Sequence, residues 1–434
     1  MGKDATGENG TVFPHSDTSP FWLSSQINFI FQWHPRFYAA YSGTNSFRHA
    51  SEQALSRYLS LYTGVVLTPS TEGIFDLESA GGSGLSNALG IAGFPNLDVV
   101  RNPELGAEPY MARVWLRQVI ALSSETESVA RTPFSMLTEL PIRRLDFHIG
   151  KLSLPDFFDI NPVGSDSHMQ FMNWAIDNNP AWDYAADTRG YTWAVVIEYW
   201  DHNFGVRFAD ALEPTVANGI NLQWDLQKAH AENYEVEYHP SLLKGRDTAI
   251  RALAYMNTAN MGVYTQAINQ FFEGITPTPE IAHHGLQKRV KYGFGLNLYQ
   301  ELTEQLRVFA RIGWNEGQHE SWAYTETDQV AEVGADLTGD YWGRPNDKWG
   351  VAFAIEGLSN QHREYLAHGG LGFILGDGNL SYGHEQVTET YYTFPLSPWP
   401  GVYFALDFQY IDDPGYNRVR GPVYVPGVRL HIEL

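Results

Sequence analysis

The chain ends in Val428-Arg429-Leu430-His431-Ile432-Glu433-Leu434, where apolar residues strictly alternate with charged or titratable ones. Successive side chains of a strand point to opposite faces, so this run has one wholly apolar face and one wholly polar face. The same period recurs from residue 27 onward. Ile27, Phe29, Phe31 and Trp33 share a face, as do Leu59, Leu61, Val65 and Leu67. Leu145, Phe147 and Ile149 alternate with Asp146 and His148, and Trp193, Val195, Ile197 and Tyr199 form another apolar row. Tyr292 to Leu298, Leu306 to Trp314, Val351 to Ile355 and Val402 to Tyr410 continue it, and Leu222, Trp224 and Leu226 alternate against Gln223, Asp225 and Gln227. In Met111–Leu122, Ala112, Val114, Leu116, Ile120 and Leu122 oppose Arg113, Trp115 and Arg117; a strand fits best, with helical spacing as the alternative.

Tight connections such as Asp201–Asn203 and Thr303–Gln305 alternate with long polar ones such as Asn315–Gln329 and Gln361–Leu371. A soluble sandwich also alternates, but it lacks this asymmetry between its two ends. Outer-membrane barrels have it, with short periplasmic turns and long extracellular loops. Closure also removes the unpaired strand edges that lipid cannot satisfy. The expected fold is therefore all-β: a closed antiparallel transmembrane barrel of about sixteen strands, by the count that alternation gives. Residues 1–20 read as a flexible polar lead-in and 21–434 as one barrel with inserted loops at 79–108 and 152–189; Ser79–Asp98 suggests a loop with a short helix.

Aromatics make up 14 % of the 434 residues (13 Trp, 24 Tyr, 24 Phe) and charged residues 18 %. Two interfacial girdles would use that many rings. No apolar run approaches the roughly 20 residues of a membrane helix. The absence of cysteine excludes thiolate metal sites and Cys nucleophiles, and a net charge of −22 argues against nucleic acid as a partner. The opening Met-Gly-Lys-Asp-Ala has no apolar signal core, so a mature chain with its signal peptide removed is expected.

The long segment between Arg143 and Trp200 carries Ile149-Gly150-Lys151-Leu152-Ser153, Asp156-Phe157-Phe158-Asp159-Ile160-Asn161, Gln170-Phe171-Met172-Asn173-Trp174-Ala175, Asp183-Tyr184-Ala185-Ala186-Asp187 and Gly190-Tyr191. In these runs the chain resembles the carbohydrate-selective porins, the OprB family, and weaker likeness extends from about Phe21 to the C-terminus. The resemblance implies an outer-membrane barrel for facilitated diffusion of small sugars into the periplasm. Sugars and outer-membrane lipids are then its partners, with homotrimeric assembly left open and no cofactor. It also lends Phe157-Phe158 a role in anchoring the long loop. The terminal Leu434 departs from the aromatic residue common at the end of such barrels.

In a barrel the polar faces point into the lumen, so Arg113, Trp115, Arg117, Arg144, Asp146, His148, Arg307 and Arg311 are the expected pore-lining residues, with Asp156 and Asp159 at a loop constriction. Arg207, Arg251, Asp407, Gln409, Arg429 and Glu433 belong to the same inward set. A guanidinium offers a planar fork of donors to vicinal hydroxyls, a carboxylate accepts from them, and an indole offers a flat face to a pyranose. Polar wall filling would use the same residue types. Asp156, Asp159, Asp166 and Asp183 lack the regular spacing of a Ca²⁺ loop, so turns and caps account for them better. His283, His284 and His319 have no further ligand at metal spacing, and no Gly-x-Ser-x-Gly elbow suggests a hydrolase. An exopolysaccharide export barrel would share most features, but the inward charges are of mixed sign, which favours uptake of small solutes over passage of a charged polymer.

Overall fold

Sixteen strands, each hydrogen-bonded to two neighbours, close on themselves in antiparallel order in the computed structural model, which describes residues 10–16, 18–99, 102, 105–283 and 285–434. They are β1 (Phe21–His34), β2 (Glu52–Thr68), β3 (Thr71–Gly82), β4 (Tyr110–Ala121), β5 (Arg143–Leu152), β6 (Thr192–Asp201), β7 (Phe204–Ala211) and β8 (His230–Tyr238). The second half comprises β9 (Thr248–Met261), β10 (Gln287–Glu301), β11 (Leu306–Asn315), β12 (Gln329–Gly339), β13 (Arg344–Gly357), β14 (Glu385–Pro395), β15 (Val402–Asp412) and β16 (Val423–Glu433). β1 seals the barrel against β16, with Phe29 opposite Leu430 and Phe31 opposite Val428.

The alternation has the consequence expected of it. Phe29, Phe31, Trp33, Ile312, Leu406 and Phe408 are exposed on the outer wall, while Asn28, Gln32, Arg311, Gln409, Arg429 and His431 are buried inside it. Met111–Leu122 is strand, not helix, over Tyr110–Ala121. Outer-face rings cluster at both ends: Tyr292, Phe294 and Trp314 at one, Trp342, Tyr392, Phe394 and Phe404 at the other. The first four residues of the loop expected at 79–108 form the end of β3, and its short helix is only a single turn, Leu85–Ala88, with Ser86 and Asn87 at positive φ.

Leu222–Gln227 departs from expectation. It lies in the connection 212–229, outside any strand. Asp225 accepts from the backbone of Gln227 at 3.1 Å and its carbonyl accepts from Lys228 at 2.8 Å. Local aspartate turns of this kind compete with a strand ladder, and here they win. Trp224 then packs against Trp193 with ring centroids 5.7 Å apart.

The connections at one end are 69–70, 202–203, 239–247, 302–305, 340–343 and 396–401, with a single long one, 122–142. Those at the other end are longer, and described residues of the connections 83–109 and 153–191 enter the lumen. Asn96 and Pro95 meet Ser56, Gln32 and Gln409, while Asp159 to Asp183 reaches across to β8, β10, β11 and β14. Helices α1 (Trp174–Asp177), α2 (Tyr264–Phe272) and α3 (Asn360–Ala367) lie among these connections, with Tyr264 stacked on His362 at 4.4 Å. Small inward residues make room: Ala194, Ala209, Ala211 and Ala231 belong to one buried apolar cluster with Phe158 and Trp182. The barrel thus contains a core of its own inserted chain.

In the turn 239–247, His239 Nε2 lies 2.6 Å from Glu237 Oε1 and Nδ1 lies 3.4 Å from Asp247. Hydrogen bonds to Asp247 and Glu237 raise the imidazole pKa to about 9. A raised pKa favours folding below the ordinary histidine value, and that contribution is lost as pH rises through about 9. The melting temperature in detergent is expected to fall between pH 7 and pH 10, and His239→Gln to flatten that part of the profile. Parallel profiles for the two proteins would refute the assignment.

Candidate functional site

Two neighbouring strands, β4 and β5, carry six of the eight residues expected to line the pore, and β3 flanks them. Register sets acids on β3 against bases on β4: Asp76 faces Arg113 and Glu72 faces Arg117. On the other side Arg117 faces His148 of β5, and Asp146 faces Glu198 of β6. Opposite charges directly across the β3–β4 ladder attract, and Arg117 on Asp146 and Arg207 on Glu198 offset the like-charged Asp146–Glu198 pair, so the wall is held as a mesh rather than as free side chains. The ladder continues as Glu198–Arg207–Glu235 and Glu237–Arg251, and on the far wall as Arg307–Asp336 and Arg311–Glu332.

Arg113 is gripped bidentately by Asp156 of the inserted segment at 2.7 and 2.9 Å, and donates to Glu78 at 3.1 Å. Glu78 also accepts from Tyr58 at 2.6 Å and from Tyr110 at 2.9 Å. Arg117 donates to Glu72 at 3.0 Å, to Asp146 at 2.7 Å and to the Ser135 hydroxyl at 3.0 Å. Arg144 reaches Asp146 at 3.2 Å and Glu127 at 3.0 Å. His148 meets Glu198 at 3.1 Å.

Trp115 stands between the two arginines, its ring 5.1 Å from His148 and 6.2 Å from Phe157. It pairs with Gly150, whose φ is +148°; a Cβ there would lie 2.8 Å from the Trp115 Cβ, so glycine lets the indole take its place. Among the described residues, Trp115 Nε1, Arg117 Nε, Asp146 Oδ1 and His148 Nδ1 of this patch are buried with no protein hydrogen-bond partner, as are both carboxylate oxygens of the neighbouring Asp76. They supply donors and acceptors within one small area of wall.

The other expected residues are placed elsewhere. Arg307 is held by Asp336, at 2.9 Å through Nε. Arg311 is fully buried against the inserted segment: it donates to the carbonyls of Ile176 at 2.8 Å and Gly164 at 3.1 Å, and to the Ser165 hydroxyl at 2.7 Å. Its Nε lies 3.1 Å from Asp159. Asp156 and Asp159 therefore sit on opposite walls, one on Arg113 and the other on Arg311. Asp166 caps its own turn and Asp183 binds Lys291 at 3.1 Å, so the four aspartates have separate partners. Ligand atoms of Asp146, His148 and Glu198 lie within 4.8 Å of one another. Arg117, Arg144 and Arg207 already contact those carboxylates, which makes the group an ion-pair cluster. Of the three histidines considered, His284 lies outside the described residues, while His319 and His283 meet Glu316 and Glu280.

The acidic half of the wall, Glu72, Asp76, Glu78, Glu198, Glu235 and Glu237, was not singled out from sequence. Its signal was available in one form only: each acid sits at an inward position of its strand, and all but Glu78, which faces Tyr110, are opposite an arginine.

A family model for the carbohydrate-selective porins, OprB family, matches residues 44–434. The chain belongs to that family. It is a carbohydrate porin of the bacterial outer membrane, and its family and fold are those of a channel. The fold of this porin is that of Pseudomonas putida OprB in its high-pH structure, at TM-score 0.70 and 16% identity over 96% of this chain and 94% of that one. The low-pH structure of the same protein gives TM-score 0.51 and 12% identity over 96% and 93%. The outer-membrane channel DcaP of Acinetobacter baumannii gives TM-score 0.52 and 10% identity over 95% and 97%. Curated protein sequences give no match to the chain.

Proposed function

We propose that sugars cross this porin along the wall formed by β3, β4 and β5, with Arg113, Trp115, Arg117, Arg144, Asp146 and His148 as the residues they meet. The observation that supports it is the set of four buried, unpartnered polar atoms on Trp115, Arg117, Asp146 and His148. A pyranose presents alternating hydroxyl donors and acceptors around its rim, and such a patch answers both. Because the charges around it are paired, a neutral solute competes with water there more easily than an ion does. Binding must stay weak for the solute to leave, which single hydrogen bonds allow.

Passage is passive, and no catalytic step is assigned to the lumen. The segment 21–434 acts as one unit, its long connections facing the outside and its short ones the periplasm. Lipid acyl chains meet the outer face, including a recess lined by Phe21, Val65, Gly73, Phe75, Leu116, Ile149 and Trp193. Arg307, Arg311 and Asp159 set the opposite wall, and Asp156 narrows the path at Arg113.

Trp115→Phe removes the indole N–H and keeps the ring. A lost hydrogen bond of about 1 kcal/mol corresponds to about fivefold weaker interaction. Liposome swelling with glucose, a disaccharide and polyols of similar size is expected to show a matching fall in sugar preference, with ion conductance little changed. An unaltered sugar-to-polyol ratio would remove this wall from the pathway.

A further inference from the structure

The connection 122–142 is the one long link at the short-turn end, and it turns back into the barrel. Its root is a small hairpin, Thr126–Ser128 paired with Glu139–Pro141, tied to the wall by Glu127 on Arg144 at 3.0 Å. Beyond the hairpin the sequence becomes apolar, and its tip, Thr132–Leu137, is pinned by the wall. The Glu72 carboxylate accepts from the backbone of Met136 at 2.7 Å and of Leu137 at 3.1 Å, and Ser135 accepts from Arg117 at 3.0 Å. Met136 is buried over Gly64, where a Cβ would come within 2.7 Å of its methyl group; that glycine is the space the tip occupies.

Phe134 brings this intrusion against Arg113. Its ring meets Tyr62 edge-on at 5.4 Å and lies 4.6 Å from the Arg113 guanidinium carbon. The ring of Tyr191 lies 5.1 Å from the same guanidinium, and Asp156 holds its edge. Tyr191 and Asp156 come from the long-loop end, Phe134 from the short-turn end. Arg113 is therefore the point at which segments entering from both mouths converge. Phe134 is only partly buried, whereas Met136 and Leu137 beside it are buried.

We propose that the tip 132–137 forms an inner constriction and that Phe134 sets its selectivity. A sugar leaving the arginine wall passes this ring, and a pyranose can lay its apolar C–H face on it. A second linked ring must clear Phe134 while the first is still beside Arg113, so the residue discriminates by saccharide length. The inference rests on the proposed wall only through Arg113, and its readout is different.

The test is planar-bilayer conductance with liposome swelling on the full-length porin. Phe134→Ala is expected to raise conductance and to raise trisaccharide flux relative to glucose several-fold, whereas Trp115→Phe, which keeps its ring, is expected to leave the trisaccharide-to-glucose ratio little changed. The chain contains no cysteine, so Phe134→Cys gives a single thiol. A charged methanethiosulfonate reagent added from the short-turn side is expected to cut the current of that variant and to leave the parent protein untouched. Phe134→Leu keeps apolar volume if alanine impairs assembly, and is expected to give an intermediate length cut-off. Unchanged conductance and unchanged trisaccharide ratio in the alanine or leucine variant would overturn the proposal. So would a thiol at 134 whose modification leaves the current as it was.

Discussion

Arg311→Met is expected to open this porin without opening its barrel. Arg311 has no exposed surface, and it holds the carbonyls of Gly164 and Ile176, the Ser165 hydroxyl and the Asp159 carboxylate, with Glu332 behind it at 3.4 Å. Methionine replaces the stem but leaves two carboxylates buried without a cation. Breaking a buried pair from one side costs about 3–5 kcal/mol. The sixteen-strand ladder does not depend on these bonds; the docking of the inserted segment does. Asp159, held at φ +56°, also accepts from Asn179 and Asn297, and those bonds lose their fixed partner once Arg311 is gone. The expected result is a folded barrel, still heat-modifiable on gels, with conductance raised several-fold and the discrimination between glucose and trisaccharides lost. Wild-type conductance in a correctly assembled variant would show that the remaining contacts suffice to dock the segment.

That prediction depends on a feature that period two does not reveal. Alternation fixes which face of a strand meets lipid, and Phe29, Ile312 and Leu406 lie where it puts them. It says little about a lumen that contains its own apolar core. β3 was hard to read because Ile74 points inward to that core while Phe75 and Leu77 point elsewhere, so neither face is uniformly polar. β8, with Ala231, Asn233, Glu235 and Glu237 inward, has too few apolar residues to announce itself, although Tyr234, Val236 and Tyr238 are exposed outside. The arginines of the wall were legible because charge at alternate positions of an apolar strand has few explanations. Their acidic partners follow only from register, which pairs residues about forty positions apart, as Glu72 with Arg117. Phe134 was hidden for a different reason. Nothing in Thr132–Leu137 distinguishes a link that folds inward from one that hangs free, until Glu72 and Gly64 are seen to receive it.

The outer face admits an equally direct test. Leu406 sits mid-strand in β15, half exposed on the outside, opposite Val428 of β16 and Tyr392 of β14. Leu406→Arg places a guanidinium against acyl chains, beside Val428 and Tyr392, where no carboxylate is paired across the ladder. For arginine near the bilayer midplane the cost is about 2–4 kcal/mol, falling to about 0–1 near the interfaces. Leu430→Arg, closer to the end of β16, is expected to cost less than Leu406→Arg for that reason. Both lie beside the seam where β1 closes on β16, so loss of pairing there also leaves strand edges that lipid cannot satisfy. The contrast is Ala405, next along the same strand but buried in the lumen: Ala405→Ser changes polarity on the inner face and is expected to leave assembly intact. Folding yield in lipid vesicles, read by heat modifiability and protease resistance, should therefore rank Ala405→Ser above Leu430→Arg and Leu430→Arg above Leu406→Arg. Equal yields for the two arginine variants would mean that depth does not govern the cost, and a normal yield for Leu406→Arg would reverse the assignment of faces.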